Sequence, residues 1–435
     1  MSIDSLAKER IASLFDGGVF TELDRFGSET VVTGYGMVGG APCYAFSQNV
    51  AVDGGAMCPA QAEKIEKVYS LAEKTGYPVI GIFDSNGGKL SEGMAASNAY
   101  ARLIAASGRI SGVVPQIAVV VGVCAASAAV WAQCSDIVIM NETAQMFVTS
   151  PYVLGENVGT AKVNAENGTA HIVDADPISK ARDVITYLPS NNISSAPEAD
   201  CIPAIGSFKA DNAAAAILAI ADEGSSVNLR ADYGDSSAVA LARVAGLSVG
   251  VASVCGDITA ADCTKLASFI ALCDAFSIPV VTLVNSNGFA DSVDAEIGGI
   301  SKSAAMLTKA YANVTTAKVA VITGNAFGAA FTALAGKSSG ADIVIALDDA
   351  VISPIAPDAA ATIVYNDRIL AGEDKKTVFA EYITDYASAE VAAKLGLVDD
   401  IATESDAAAK VISALDMLSS KRVTILDKKH IVLSL

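Results

Sequence analysis

Two short segments of this 435-residue chain carry the residue types from which main-chain chemistry can be built. One is Gly122-Val123-Cys124-Ala125-Ala126-Ser127-Ala128-Ala129, the other Gly324-Asn325-Ala326-Phe327-Gly328-Ala329-Ala330. Each follows an apolar run with the character of a buried strand and opens a stretch of small residues, the pattern of a strand-to-helix turn. At such a turn the first N–H groups of the helix lack an intrahelical acceptor and point outward, with the positive end of the helix dipole behind them. Two N–H groups aimed at one point form an oxyanion hole, which stabilises negative charge as it develops on an oxygen. Small residues let a ligand come close to the backbone. Close packing of helix on strand selects the same residues, so either segment alone leaves both readings open.

Side-chain catalysis has little to draw on. The chain has two histidines, His171 and His430. His171 lies in Asn167-Gly168-Thr169-Ala170-His171, where a structural loop role is expected. A nucleophilic Ser127 would need a positioned His and a carboxylate, and His171 is its one plausible base. Neither a GxxxxGK[ST] phosphate loop nor an HExxH metal motif occurs.

The elements that position the two turns occur twice. Phe83-Asp84-Ser85-Asn86-Gly87-Gly88 is echoed by Val284-Asn285-Ser286-Asn287-Gly288-Phe289, with Asn86 and Asn287 201 positions apart. Pro78-Val79-Ile80-Gly81-Ile82 and Pro279-Val280-Val281-Thr282-Leu283 precede them. Ile117 to Gly122 matches Val319 to Gly324, and Asp136 to Ile139 matches Asp342 to Ile345. Four matches in one order at nearly constant spacing mean one fold used twice. Apolar runs alternate with helical patterns, as in right-handed βαβ crossovers. Ala60 to Thr75 places Ile65, Val68, Leu71 and Ala72 on one helical face, and Ala260 to Phe276 does so with Leu266, Phe269, Ile270 and Cys273. The turn-forming run Leu188 to Pro197 is the linker candidate. We expect an α/β protein of two domains, residues 1–205 and 206–435.

Composition supports two ordered cores. Hydrophobic residues make up 52% and charged residues 18%, which excludes a disordered chain. The net charge of −19 provides no basic field for nucleic acid. Eight cysteines without a CxxC pair are expected to be reduced small hydrophobes in a cytoplasmic protein. The opening MSIDSLAKERIASLFDGGVF lacks the order of a signal peptide. Val113 to Ala132 is long enough for a membrane span, but Pro115, Gln116, Gly122 and Ser127 favour a buried strand running into a buried helix.

Taken together, the motifs resemble the carboxyltransferase subunits of biotin-dependent acyl-CoA carboxylases and decarboxylases, within the crotonase superfamily. Ala7-Lys8-Glu9-Arg10-Ile11 with Asp16-Gly17-Gly18-Val19-Phe20-Thr21-Glu22 is similar to that family's opening. Asp84 to Gly93 is similar to its DSGGARIQEG, and Ser111 to Ile117, Glu296 to Ile300 and Phe327 to Phe331 follow the family order. The resemblance covers nearly the whole chain and implies two tandem crotonase-like ββα-superhelix domains. It departs from the family at Ala126-Ser127, where the family has Gly-Gly, and at Ala329, which replaces a glycine. The stretch between Arg25 and Val31 is shorter by several dozen residues.

The resemblance further implies transfer of a carboxyl group between biotin and the α-carbon of a short acyl-CoA. Two main-chain anion holes would serve it. By position, Ala329 and Ala330 would hold the thioester and Ala126 and Ser127 the biotin carbonyl. Gly54, Gly55, Ala56 and Lys64 fall in the stretch associated with CoA. Gly87, Gly88 and Gly328 are likewise expected to bind the CoA thioester, together with Thr332, which falls where the family has a side chain that tunes acyl size. Implied partners are a biotin carboxyl carrier protein, and a biotin carboxylase or a membrane decarboxylase subunit, since the chain has no biotinyl-lysine motif or ATP loop. A hexamer, a trimer of dimers, is the family's usual assembly. The alternatives are a catalytically degenerate structural homologue and a biotin-independent crotonase-type enzyme.

Overall fold

A computed structural model describes residues 6–155 and 157–424; His430 lies outside them. The chain forms two compact units, Met1–Pro197 with Arg230–Tyr233, and Glu198–Leu229 with Gly234–Leu435. The division expected from sequence was at 205/206. Arg230–Tyr233 returns to the first unit through a main-chain bond from Arg230 N–H to the His171 carbonyl (2.7 Å).

In the first unit eight strands form one sheet: β1 Phe20–Leu23, β2 Val31–Val38, β3 Ala41–Gln48, β4 Val79–Ser85, β5 Gln116–Ala125, β6 Ile137–Asn141, β7 Gln145–Phe147 and β8 Ile172–Asp174. Their order is β1-β2-β3-β4-β5-β6-β8, with β7 on β5. In the second unit the strands are β9 Val227–Leu229, β10 Ser237–Val244, β11 Leu247–Ile258, β12 Val280–Phe289, β13 Lys318–Phe327, β14 Ile343–Leu347, β15 Val351–Ser353 and β16 Asp400–Ala402. Their order is β16-β14-β13-β12-β11-β10-β9, with β15 on β13. Strand for strand the two sheets have the same topology. In each, two antiparallel pairings at one edge give way to parallel pairings.

The periodic helices form where their apolar faces predict. α1 is Leu6–Leu14 and α2 is Pro59–Thr75. α2 begins with Pro at its first turn, where no N–H is needed, and ends on Gly76 at φ +70°. It buries Ile65, Val68, Tyr69 and Ala72, with Leu71 half-buried. Its counterpart Ala260–Ala275 starts on a capping box between Thr259 and Asp262 and buries Leu266, Phe269, Ile270 and Cys273. The apolar run 113–132 becomes β5 followed by α4, Ser127–Ala132, with α3, Met94–Ile110, packed beside it. Among the described residues no helix is long and apolar enough to cross a membrane.

The two cores are filled differently. In the first, Trp131 is buried between Phe46 (rings stacked, 5.1 Å) and the edge of Phe83 (4.7 Å), and its Nε1–H reaches the Tyr69 hydroxyl. Phe46 needs Gly81 beside it, since a Cβ there would lie 2.3 Å from the ring. At the equivalent pair of the second unit the sizes are exchanged: Ala252 faces Thr282, whose hydroxyl bonds Tyr311 at 3.1 Å.

Candidate active site

Both strand–helix corners are present, and the ladders set their equivalence. Ser85 pairs with Cys124 and Ala125 with Phe147; Ser286 pairs with Ala326 and Phe327 with Ser353. Ala126 therefore matches Gly328, Ser127 matches Ala329, and Ala128 matches Ala330. The corner helices are α4 and Gly328–Leu334.

Ala126 corrects an expectation. Its N–H does not point outward for a ligand but is donated to the Phe147 carbonyl on β7 (2.8 Å). Its backbone has φ +55° and ψ −122°, a region that L-residues rarely occupy, so the corner does require a positive φ here. Such a strained turn is where hydrolases of the nucleophile-elbow type place their serine. Here that place holds a methyl group, and Ser127 sits one residue beyond it. The N–H groups that open α4 are those of Ser127 and Ala128; in the second unit the helix starts one step earlier, at Gly328 (φ +56°), and the N–H groups of Ala329 and Ala330 come next. Ser127 and Ala329 are exposed, whereas Ala128 and Ala330 are buried at the side chain.

A cavity of 1090 Å³ lies against the first corner, lined by Asn86, Val123, Ala126, Gln145, Phe147 and Tyr152 among others. Its size suits a drug-sized or cofactor-sized ligand. In the second unit Thr332 is exposed on the corner helix three positions after Ala329, on the same face, with its carbonyl accepting from Ser339.

The glycines expected near CoA brace the first corner from below. Gly54 and Gly55 (φ +65° and +68°) lie flush against the end of β4: a Cβ on Gly55 would meet the Asp84 carbonyl at 2.1 Å, and Gly54 O accepts from Asn86 N–H at 3.0 Å. Gly87 donates its N–H to Ser85 Oγ (3.2 Å) and its carbonyl accepts from Met57 N–H (2.8 Å), while Gly88 pairs with Met57 in an isolated bridge. Ala56 is buried beside them. The segment thus holds Asn86 at the cavity wall.

Lys64, expected in the stretch associated with CoA, is engaged within the fold. It is 5% exposed, and its ammonium donates to the Ser28 and Val31 carbonyls at 3.0 and 2.8 Å. Burial pushes its pKa down. Lys265, at the matching turn of the second unit, donates to the Gly234 and Ser237 carbonyls at 2.8 and 2.5 Å. In both copies a buried lysine thus ties down the entry to the strands. The same residue type on the buried face of both helices was the signal available in the sequence.

His171 is structural. Its Nδ1 accepts from Val138 N–H (3.1 Å), and burial, with Arg230 nearby, lowers its pKa to about 3, so the ring is neutral. It provides no base for Ser127. The eight cysteines are all free, and five of them are buried.

The match to known proteins covers the same ground. The family model "Carboxyl transferase domain" matches residues 5–433. The alpha subunit of methylmalonyl-CoA decarboxylase from Propionigenium modestum is 36% identical, over 98% of this chain and 92% of its own. The beta chain of propionyl-CoA carboxylase from Saccharopolyspora erythraea is 34% identical, over 98% and 89%. The crystal structure of transcarboxylase 12S, with methylmalonyl-coenzyme A and methylmalonic acid bound, superposes with a TM-score of 0.91 at 31% identity, over 98% of this chain and 92% of that one. The crotonase-like reading of the twin sheets agrees with that likeness. The chain belongs to the carboxyl transferase domain family, the carboxyltransferase subunits of biotin-dependent acyl-CoA carboxylases and decarboxylases.

Proposed function

We propose that this subunit moves a carboxyl group between biotin and the α-carbon of a short acyl-CoA of the methylmalonyl/propionyl type, with one anion hole in each unit. The observation that carries this reading is the twice-built corner, where a positive-φ residue turns the chain so that the next two N–H groups open a helix. Ala329 and Ala330 hold the thioester oxygen as it becomes an enolate. Ser127 and Ala128, one position beyond the pair expected from the family's Gly-Gly, face the ureido oxygen of biotin. Biotin, brought by a carrier protein, supplies the ureido group that bears the carboxyl. The remaining work falls to main-chain dipoles fixed before reaction, which is where such sites gain most. A biotin carboxylase or a membrane decarboxylase subunit completes the cycle, and a hexamer of the kind named for transcarboxylase 12S is the expected assembly.

The test is decarboxylation of malonyl-, methylmalonyl- and glutaconyl-CoA by the purified chain with free biotin. Biotin-dependent turnover is expected. Turnover without biotin points to a crotonase-type enzyme, and no turnover together with no thioester binding points to a structural subunit. Ala330→Pro, which removes one donor, is expected to cost roughly 10²–10³ in rate.

A further inference from the structure

The strand that delivers each corner is irregular just before it. Between Phe83–Val120 and Ser85–Cys124 the register of β4 with β5 slips, so that Asp84 alone faces Val121, Gly122 and Val123. The second unit slips at the same step: Asn285 alone faces Thr323, Gly324 and Asn325. Bulges of this kind bend a strand and re-aim the residues beyond the bend, and they leave ladder N–H groups without a strand partner. In both units a side-chain oxygen takes up such an N–H. Asp84 Oδ1 accepts from Val123 N–H at 3.3 Å, and Asn285 Oδ1 from Asn325 N–H at 3.0 Å. In both, glycine makes room: a Cβ on Gly122 would stand 2.3 Å from Asp84 Oδ1, and one on Gly324 2.5 Å from Asn285 Oδ1.

The two clamps differ in charge. Asn285 is neutral. Asp84 has a side chain only 8% exposed, and its second oxygen is held at 2.7 Å by Arg10 from α1. A buried carboxylate needs such a partner. Yet the other copy performs the same task with an uncharged amide.

We propose that Asp84 and Asn285 are positioning residues for the two anion holes: each fixes the bulge that sets where the following corner aims its N–H groups, and Arg10 serves to compensate the charge of Asp84. This rests on the proposed function for its kinetic consequence, though not for its structural one. The acceptor, not the charge, does the positioning. The first unit should therefore tolerate the neutral form used by the second, provided Arg10 is neutralised with it.

The experiment compares D84A, the double variant R10M/D84N, and the wild type as full-length chains, by biotin-dependent decarboxylation and by hydrogen–deuterium exchange over residues 121–128. D84A is expected to lower kcat at least tenfold with the KM for acyl-CoA within twofold, and to speed exchange at Val123 through Ala128. R10M/D84N is expected to stay within about threefold of wild type in both. A D84A that only lowers Tm, with kcat and exchange unchanged, overturns the proposal, as does a double variant as impaired as D84A. If D84A does not fold, N285A carries the same comparison, with faster exchange over 323–330 expected and unchanged exchange overturning it. If the wild type turns over no CoA thioester, the functional reading fails separately and the exchange data alone decide.

Discussion

Ala126 and Gly328 hold the same backbone turn, φ +55° and +56°, at the same step of the two repeats. One carries a methyl group in a conformation suited to glycine, at a cost of order 1–3 kcal/mol. Ala126→Gly is expected to stabilise the chain by about 1 kcal/mol, raising Tm by about 2–4 °C in a calorimetric scan. Gly328→Ala is expected to lower it, because its Cβ would also stand 3.0 Å from the Pro354 carbonyl.

Lys64→Met leaves the Ser28 and Val31 carbonyls without their donor. Buried acceptors stripped of partners cost about 1–3 kcal/mol. A lower denaturation midpoint with an unchanged KM for acyl-CoA is expected. A tenfold rise in KM without loss of stability would restore Lys64 to the ligand site.

Asp136 Oδ2 accepts from the Gln116 N–H at 2.8 Å, and burial pushes its pKa up to about 7. The folded chain thus holds this proton more tightly than the unfolded one, where Asp titrates near ~3.9. Its contribution is complete below about pH 4 and is lost as pH rises through about 7. Asp136→Asn keeps the acceptor and removes the charge. Its Tm advantage over wild type is expected to grow by several °C between pH 5 and pH 8, a range over which the shift is worth about 2–3 kcal/mol. Asp342, the counterpart, is paired with Lys421 at 2.7 Å, so Asp342→Asn is expected to show no such gain.

Ser47 and Ser253 occupy equivalent places on β3 and β11, and among the described residues neither buried hydroxyl has a hydrogen-bond partner. Replacing either by Ala removes an unsatisfied polar atom. Each change is expected to raise Tm by about 2–4 °C, which thermal scans of the two single variants would check.

What the sequence made legible was local or repeated. Strands β4, β5, β12 and β13, the helical faces of Pro59–Thr75 and Ala260–Ala275, and the small-residue corners all follow from patterns within a few residues, read twice. What escaped depends on partners distant in the chain. The Ala126 N–H goes to Phe147, on a short strand later in the chain, so the proposed donor pair begins one position later. The bulge at Asp84 shows only in the strand ladder, although the Asp84/Asn285 echo marked the place. Lys64 stands near CoA only through the family resemblance, whereas its hydrogen-bond partners, the Ser28 and Val31 carbonyls, lie more than 30 positions away in the chain. The return of Arg230–Tyr233 to the first unit depends on one main-chain bond that no composition shift announces.

The exchange of bulk between Phe46–Gly81 and Ala252–Thr282 limits how far the halves remain interchangeable. A chimaera that transplants β3 of one half onto β4 of the other would place phenylalanine against threonine, or alanine against glycine: one collides and the other leaves a void. After the duplication these neighbouring strands came to depend on each other, so modules moved between the copies must travel as strand pairs.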